Sequence, residues 1–361
     1  MMQADETMGL SATRDITDGR SRGDAANGRA RDTMTDIRAR YKRSRLRRFI
    51  RRRGDAAAYH LARLAIRLPQ NVSLSHALGM AERAGDLAYA AMPGIRRLAF
   101  QHLAIAFGDT LSPAAREAIA RESYRNAARA FVELVKLEDI RPRFDEYASI
   151  EGWEHVDEVL AAGRGGIVVT GHIGNWELFA AYAARRGVTM AAGARLINDP
   201  RLNRLLTDFR AGNGIRVIVR NSSRSGAEML RVLKQRGILA LLIDQDIRVP
   251  SVSVPFFGRL VRTPAVPAVL AVRRDIPVVI ALARRRPEGG HHFTLTPPIY
   301  APKTGDRLRD IVEMTRQFNQ ILEDRIRENP SEWNWWHRRW RRPPVPGLDL
   351  DAESQHAIAE S

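Results

Sequence analysis

With 361 residues, 44% of them hydrophobic and 27% charged, the chain is long enough to build one large core or two modest ones. It contains no cysteine, which excludes disulfides, thiolate catalysis and cysteine metal sites. A net charge of +17 and a pI of about 11.1 ask for an acidic partner, whether nucleic acid, anionic headgroups or an acidic carrier protein.

Residues 1–53 read as a disordered, basic N-terminal tail. Residues 1–36 are polar and mixed, without a secretory apolar region. From Arg38 to Arg53 basic residues recur with no acid between them, and each such charge near an anionic bilayer is worth about 1 kcal/mol. A solvated tail or a nucleic-acid arm fits the same block, although only Tyr41 and Phe49 offer rings for stacking on bases. Residues 54–150 read as a helical section with possible membrane-interface helices. Leu61, Leu64, Ile66 and Leu68, then Leu74, Leu78, Met80, Leu87 and Tyr89, give helical periodicity broken at Pro69. Further helices are expected at 95–107 and 113–137, the second started by Ser112-Pro113. No run of about 18 apolar residues occurs, so any membrane contact is expected to be peripheral or partly inserted.

Residues 151–345 change texture. Strands are expected at Gly166–Thr170, Thr189–Ala194, Ile215–Val219, Ile238–Ile243, Val278–Ala283 and Phe293–Thr296. Between and after them lie helices at Asn175–Arg186, Pro200–Ala211, Ser225–Gln235, Pro264–Arg274 and Leu308–Glu328, the last ended by Pro330. This alternation predicts an α/β core, a central and mostly parallel sheet flanked by helices. Residues 346–361 read as a C-terminal tail.

One segment carries chemistry: Thr170-Gly171-His172-Ile173-Gly174-Asn175-Trp176-Glu177. An apolar strand ends at Thr170, and a helix starts at Asn175, a good N-cap residue. His172 therefore stands at the carboxyl end of a strand, where open α/β folds place their ligands. Glu177, five residues on, is expected to hold one imidazole nitrogen and leave the other free to take a proton. Gly171 and Gly174 let the chain turn sharply and a substrate approach. Such a histidine can deprotonate an alcohol attacking a thioester, with neither metal nor cofactor. No G-x-S-x-G elbow supports a serine acyl-enzyme. A buried histidine in a strand–helix turn is the plain alternative.

With these motifs the chain resembles the bacterial lipid A biosynthesis (lauroyl/myristoyl) acyltransferases, within the lysophospholipid acyltransferase superfamily. The resemblance covers roughly residues 95–345. It rests on the His172–Glu177 segment, on Arg195 before Asn198-Asp199-Pro200, on Asp244-Gln245-Asp246 and on Val254-Pro255-Phe256-Phe257-Gly258 with Thr263-Pro264. It closes on Trp333-Asn334-Trp335-Trp336-His337-Arg338-Arg339-Trp340. It implies a glycerolipid acyltransferase-like fold and transfer of an acyl group from acyl carrier protein or acyl-CoA to a hydroxyl of a membrane glycolipid, first of all a lipid A precursor. The implied place is the cytoplasmic face of the bacterial inner membrane, against an anionic surface and without nucleic acid. Relatives that acylate phosphatidylinositol mannosides keep other glyco- and phospholipids open as acceptors. Family members usually carry a hydrophobic N-terminal helix, where this chain is polar and basic.

Around the catalytic pair, His172 and Glu177, the substrate-binding candidates are Arg195, Asp244, Asp246, Asn175 and Gly174. Arg195 at a strand end suits a phosphate or a developing charge, and the two aspartates can orient the site or hold Arg195. Phe256 and Phe257 are candidates for an acyl channel or for plain core. Trp335, Trp336, Trp340, Arg338 and Arg339 are candidates for a membrane interface. Thr263-Pro264 is expected to cap the next helix, and His291-His292 to face solvent in a Gly-rich turn. The rival readings outside catalysis are a basic nucleic-acid-binding protein and a membrane-binding scaffold.

Overall fold

The protein is described from a computed structural model, which covers residue 56 and residues 59–195, 199–220 and 222–349. The basic block at 38–53 lies outside the described residues, and so does most of the C-terminal tail. The described residues from Leu61 onward form one compact unit. Among the described residues no helix is long and apolar enough to cross a membrane.

Helical residues run through Gln70 and stop at a turn. The serine-capped helix α1 (Leu74–Ala91) follows. The break thus falls just after Pro69 rather than on it. Helix α2 (Pro93–Phe107) leads to α3 (Pro113–Val135), whose N-cap Ser112 accepts from Ala115 N ahead of Pro113. Helices α1 and α3 pack closely because Gly85 has no side chain: a Cβ there would lie 2.7 Å from the backbone of Arg125. Arg121 and Arg125 clasp Asp86 across this contact.

The core sheet has seven strands: β1 (Ala148–Glu151), β2 (Gly166–Thr170), β3 (Met190–Ala194), β4 (Ile215–Val219), β5 (Ile238–Leu242), β8 (Val278–Arg285) and β9 (His291–Leu295), in the order β1-β9-β8-β2-β5-β3-β4. The run β8-β2-β5-β3-β4 is parallel, and β9 pairs antiparallel with β8. Period-2 alternation splits β2 between two cores. Ile167 and Val169 join one, with the long helix α9 (Arg307–Glu328) and Trp333; Val168 joins the other, with Leu178 and Phe179 of α5 (Trp176–Arg185). Helix α6 (Pro200–Gly212) follows β3, capped by Asp199 with Pro200 in its first turn.

Four strands were not expected from the sequence. Strand β1 has four residues with a mixed burial pattern and pairs with β9. The hairpin of β6 (Ser251–Phe256) and β7 (Arg259–Pro264), joined by the two-residue strand β10 (Leu348–Asp349) on β6, forms a second small sheet. Its turn holds Phe257 and Gly258 at positive φ. Consequently Thr263 and Pro264 end a strand instead of capping a helix; the next helix, α8 (Val266–Arg274), has Ala265 at its N-cap.

Candidate active site

The register of the sheet places the site. Thr170 at the end of β2 pairs with Leu242 at the end of β5, so the residues two positions beyond each, His172 and Asp244, leave the same edge side by side. Gly171 permits the approach, since a Cβ there would lie 3.2 Å from the Asp244 carboxyl. Asp244, 1% exposed, accepts from the His172 backbone N–H at 2.7 Å through one oxygen, and from Nδ1 of the ring at 2.9 Å through the other. Trp333 Nε1 donates to the first oxygen at 2.8 Å. Burial works against the Asp244 charge, but the neighbouring His172 and these hydrogen bonds hold the carboxyl well below its usual range.

With Nδ1–H committed to a carboxylate, Nε2 of His172 is left as the acceptor. The Gln245 amide donates to it at 3.2 Å and also lies 3.0 Å from Nδ1 of His337. Burial pushes His337 down to about 3, so that ring is neutral at ordinary pH. His172 keeps 21% of its side chain exposed and lines a cavity of about 180 Å³. One wall is apolar, from Phe131 and Leu134 of α3; the other is polar, from Asn175, Glu177, Glu332 and Asn334.

The turn after His172 is fixed from outside. Ile173 forms an isolated bridge with Trp333, and Gly174 N donates to Glu332 O at 3.0 Å. Gly174 is at φ +57°, and a Cβ there would lie 2.8 Å from Ala283. Asn175 caps α5 through Leu178 N and donates to buried Glu133 at 2.9 Å. Glu133 is the hub of a sealed cluster that also takes bonds from Arg285, Tyr147 and His291. Burial opposes its charge, but His291 and Arg285 outweigh it and pull the carboxyl well down. Among the described residues the Glu332 carboxyl accepts from the backbone N–H of Arg285, and burial raises it to about 7.

Several expectations are corrected. The imidazole leans on Asp244, not on Glu177, whose carboxylate is turned to Arg210 with bonds of 2.5 and 3.2 Å. Neither aspartate holds Arg195: Asp244 belongs to His172, and Asp246 binds the Arg342 guanidinium. Arg195 stands just past the end of β3, lining a second cavity. Asn175 and Gly174 line the first cavity, yet the Asn175 carboxamide is engaged by protein groups. Phe256 and Phe257 are buried core, packed on one another and on Trp333, Trp335 and Trp340. Trp335 and Arg339 are buried too, and Arg339 bonds Arg262 O and Thr263 Oγ1. Trp336 and Trp340 are partly buried against the core; Arg338 alone of the five proposed interface residues is exposed. His291 is fully buried on Glu133 instead of facing solvent, and His292 bonds Ser149. The role of Trp333 escaped sequence reasoning; its signal was an indole donor within the ordered C-terminal motif.

His172, Asp244 and His337 bring one ligand atom each within 4.8 Å of the others. Both Asp244 oxygens are already taken by N–H donors and the Gln245 amide reaches both rings, so the donor set is arranged as a hydrogen-bond relay.

A carboxylate-held imidazole at the carboxyl edge of a parallel sheet, lining a cavity, is an arrangement that can accept a proton from a bound group. The chain belongs to the bacterial lipid A biosynthesis acyltransferase family, whose profile matches residues 47–342. It is 26% identical over 196 residues to a phosphatidylinositol mannoside acyltransferase of Mycobacterium tuberculosis, a match covering 53% of this chain and 59% of that protein. A protein of the same name from Mycolicibacterium smegmatis is 26% identical over 224 residues, covering 61% of this chain and 71% of the relative.

Proposed function

We propose that the chain transfers a fatty acyl group from a thioester, acyl carrier protein or acyl-CoA, to a hydroxyl of a membrane glycolipid. The observation that carries this reading is the placement of His172, with Nδ1 locked to Asp244 and the residue itself lining the cavity. The acceptor hydroxyl gives its proton to Nε2 as its oxygen attacks the thioester carbonyl. Asp244 stabilises the imidazolium that forms. The Gln245 amide, displaced from Nε2 by the hydroxyl, is placed to donate to the developing oxyanion. When the C–S bond breaks, the imidazolium returns its proton to the leaving thiolate. Such positioned base catalysis contributes about 10²–10⁴-fold.

Family membership supports a lipid A precursor as acceptor, while the mycobacterial relatives favour a phosphatidylinositol mannoside. The expected setting is the cytoplasmic face of the inner membrane. In support, Leu61, Leu64 and Leu68 are 66%, 50% and 48% exposed and recur at helical spacing, a face suited to a bilayer interface. Lipid mass spectrometry of cells with and without the gene tests the reading. We expect one lipid to lose a single acyl chain in the deletion and regain it with the wild-type gene but not with His172→Ala. Restoration by His172→Ala would rule the reading out.

A further inference from the structure

Gln245 stands between two imidazoles. Its amide nitrogen lies 3.2 Å from Nε2 of His172 and 3.0 and 3.1 Å from the two ring nitrogens of His337. The rings meet edge to face, with 4.5 Å between centroids and 84° between planes. His337 comes from the C-terminal tryptophan motif, and its backbone is tied on both sides. Its N–H donates to Asn334 O at 3.1 Å, and its carbonyl accepts from Arg339 N at 2.8 Å. Arg339 is in turn buried on Arg262 O and Thr263 Oγ1. Among the described residues only the Gln245 amide is hydrogen-bonded to the His337 ring.

An acceptor hydroxyl has to take the place of that amide. To give its proton to Nε2 of His172, its oxygen must sit about where the amide nitrogen sits, and there it falls within hydrogen-bond reach of His337. The donor pattern is then fixed. With Nδ1–H given to Asp244, His172 presents only a lone pair, so the hydroxyl donates to it. With its one proton so placed, the hydroxyl meets His337 only as an acceptor, at whichever nitrogen carries the ring proton. Its remaining lone pair is free for the thioester carbonyl.

The charge of His337 matters as much as its N–H. Burial, with His172 beside it, pushes His337 down to about 3. Of the titratable groups that face it, His172, Asp244 and His102 of α2, only Asp244 favours the charged ring, and His102 is itself pushed down by burial. A cation at this place would oppose the imidazolium that His172 becomes; a neutral ring does not.

We propose that His337 is a further catalytic residue, which donates its N–H to the acceptor oxygen and so aims the hydroxyl proton at His172. His337 keeps its own proton throughout. The hydroxyl proton passes to Nε2 of His172, the C–O bond forms, the C–S bond breaks, and the thiolate takes the proton from His172. This rests on the acyl-transfer reading.

The test compares the full chain with His337→Phe, which keeps a ring and loses the N–H, and with His337→Gln, which restores an N–H donor. Transfer from lauroyl and palmitoyl thioesters of coenzyme A and acyl carrier protein is measured on vesicles carrying a lipid A precursor or phosphatidylinositol mannoside. We expect His337→Phe to lower kcat by about 10²-fold with the thioester KM unchanged to within about twofold, and His337→Gln to recover roughly tenfold of that loss. No loss in His337→Phe, or equal losses in both variants, overturns the assignment. Where His337→Phe fails to fold, His337→Met, also without an N–H, takes its place. A wild type that transfers nothing to either acceptor ends the acyl-transfer reading and this inference with it. A wild type that turns over beside an unimpaired His337→Phe ends this inference alone.

The protonation of the ring is read separately, by long-range proton–nitrogen NMR of the wild type labelled with nitrogen-15 histidine. The His337 signal is the one missing from His337→Gln. We expect a neutral ring from about pH 6 to about pH 8. A charged ring in that range overturns the assignment whatever the turnover.

Discussion

Two histidines of this protein lean on buried carboxylates, and the contrast between them shows what separates a base from a strut. His291 meets Glu133 at 2.9 Å with neither side chain exposed, inside a cluster completed by Arg285, Tyr147 and Asn175. His172 meets Asp244 at the same distance, but it keeps a fifth of its side chain exposed and lines a cavity. The contact distance is shared. What differs is position: Glu133 sits inside a helix and bonds into β8 and β9, whereas Asp244 and His172 leave the carboxyl ends of two adjacent parallel strands. The sealed pair fixes the turn that carries the open one, through Asn175.

The largest effect expected is on chemistry. His172→Ala should lower turnover by about 10²–10⁴-fold with the unfolding midpoint unchanged. A full loss of cooperative unfolding in that variant would place His172 with His291, as structure.

Glu133→Ala should reverse the pattern. Removing one partner of a buried ionic cluster costs about 3–5 kcal/mol, measured by denaturant unfolding. Turnover per folded molecule should fall far less than in His172→Ala. A stability change under 1 kcal/mol would show that the cluster does not hold the turn.

Glu332 gives a pH dependence. Its carboxyl is raised from 4.5 to about 7 in the folded protein, so folding favours its protonated form. The stability from this group is complete below about pH 4 and is lost as pH rises through 7, in total about 3 kcal/mol at 1.36 kcal/mol per unit. Glu332→Gln should therefore gain on the wild type between pH 5 and pH 8. An identical difference at both pH values would remove the assignment.

The smallest effect separates the two acids near the base. Glu177→Gln loses one charge-assisted interaction with Arg210, worth about 1.5–3 kcal/mol, and should lower kcat/KM by roughly ten- to hundredfold without changing the shape of the pH–rate profile. Asp244→Asn should instead move the proton on the imidazole to Nε2 and displace that profile. An altered profile in Glu177→Gln alone would return Glu177 to the role expected of it.

The long elements were legible because their patterns are local. Strands β2 and β4 and the start of α6 fall at the residues expected from their apolar runs and from Pro200. Strand β1 was not, because four residues carry too little periodicity, and the β6–β7 hairpin hides behind Pro255 and the polar face of its strands. His172 itself was legible from its glycine-flanked place after a strand. Its partner was not, since Glu177 is near in sequence while Asp244 is near only in the sheet.

The sequence alone determined which residue types stand at strand ends, where helices are capped and that no thiol takes part, because these depend on neighbours within a few positions. Only the tertiary structure decided that β2 lies against β5, and hence that Asp244 rather than Glu177 holds the imidazole. It also decided that Trp335 is core rather than a membrane anchor. Pairing of strands more than seventy residues apart is set by the sum of packing over the whole sheet, which no short stretch of chain records.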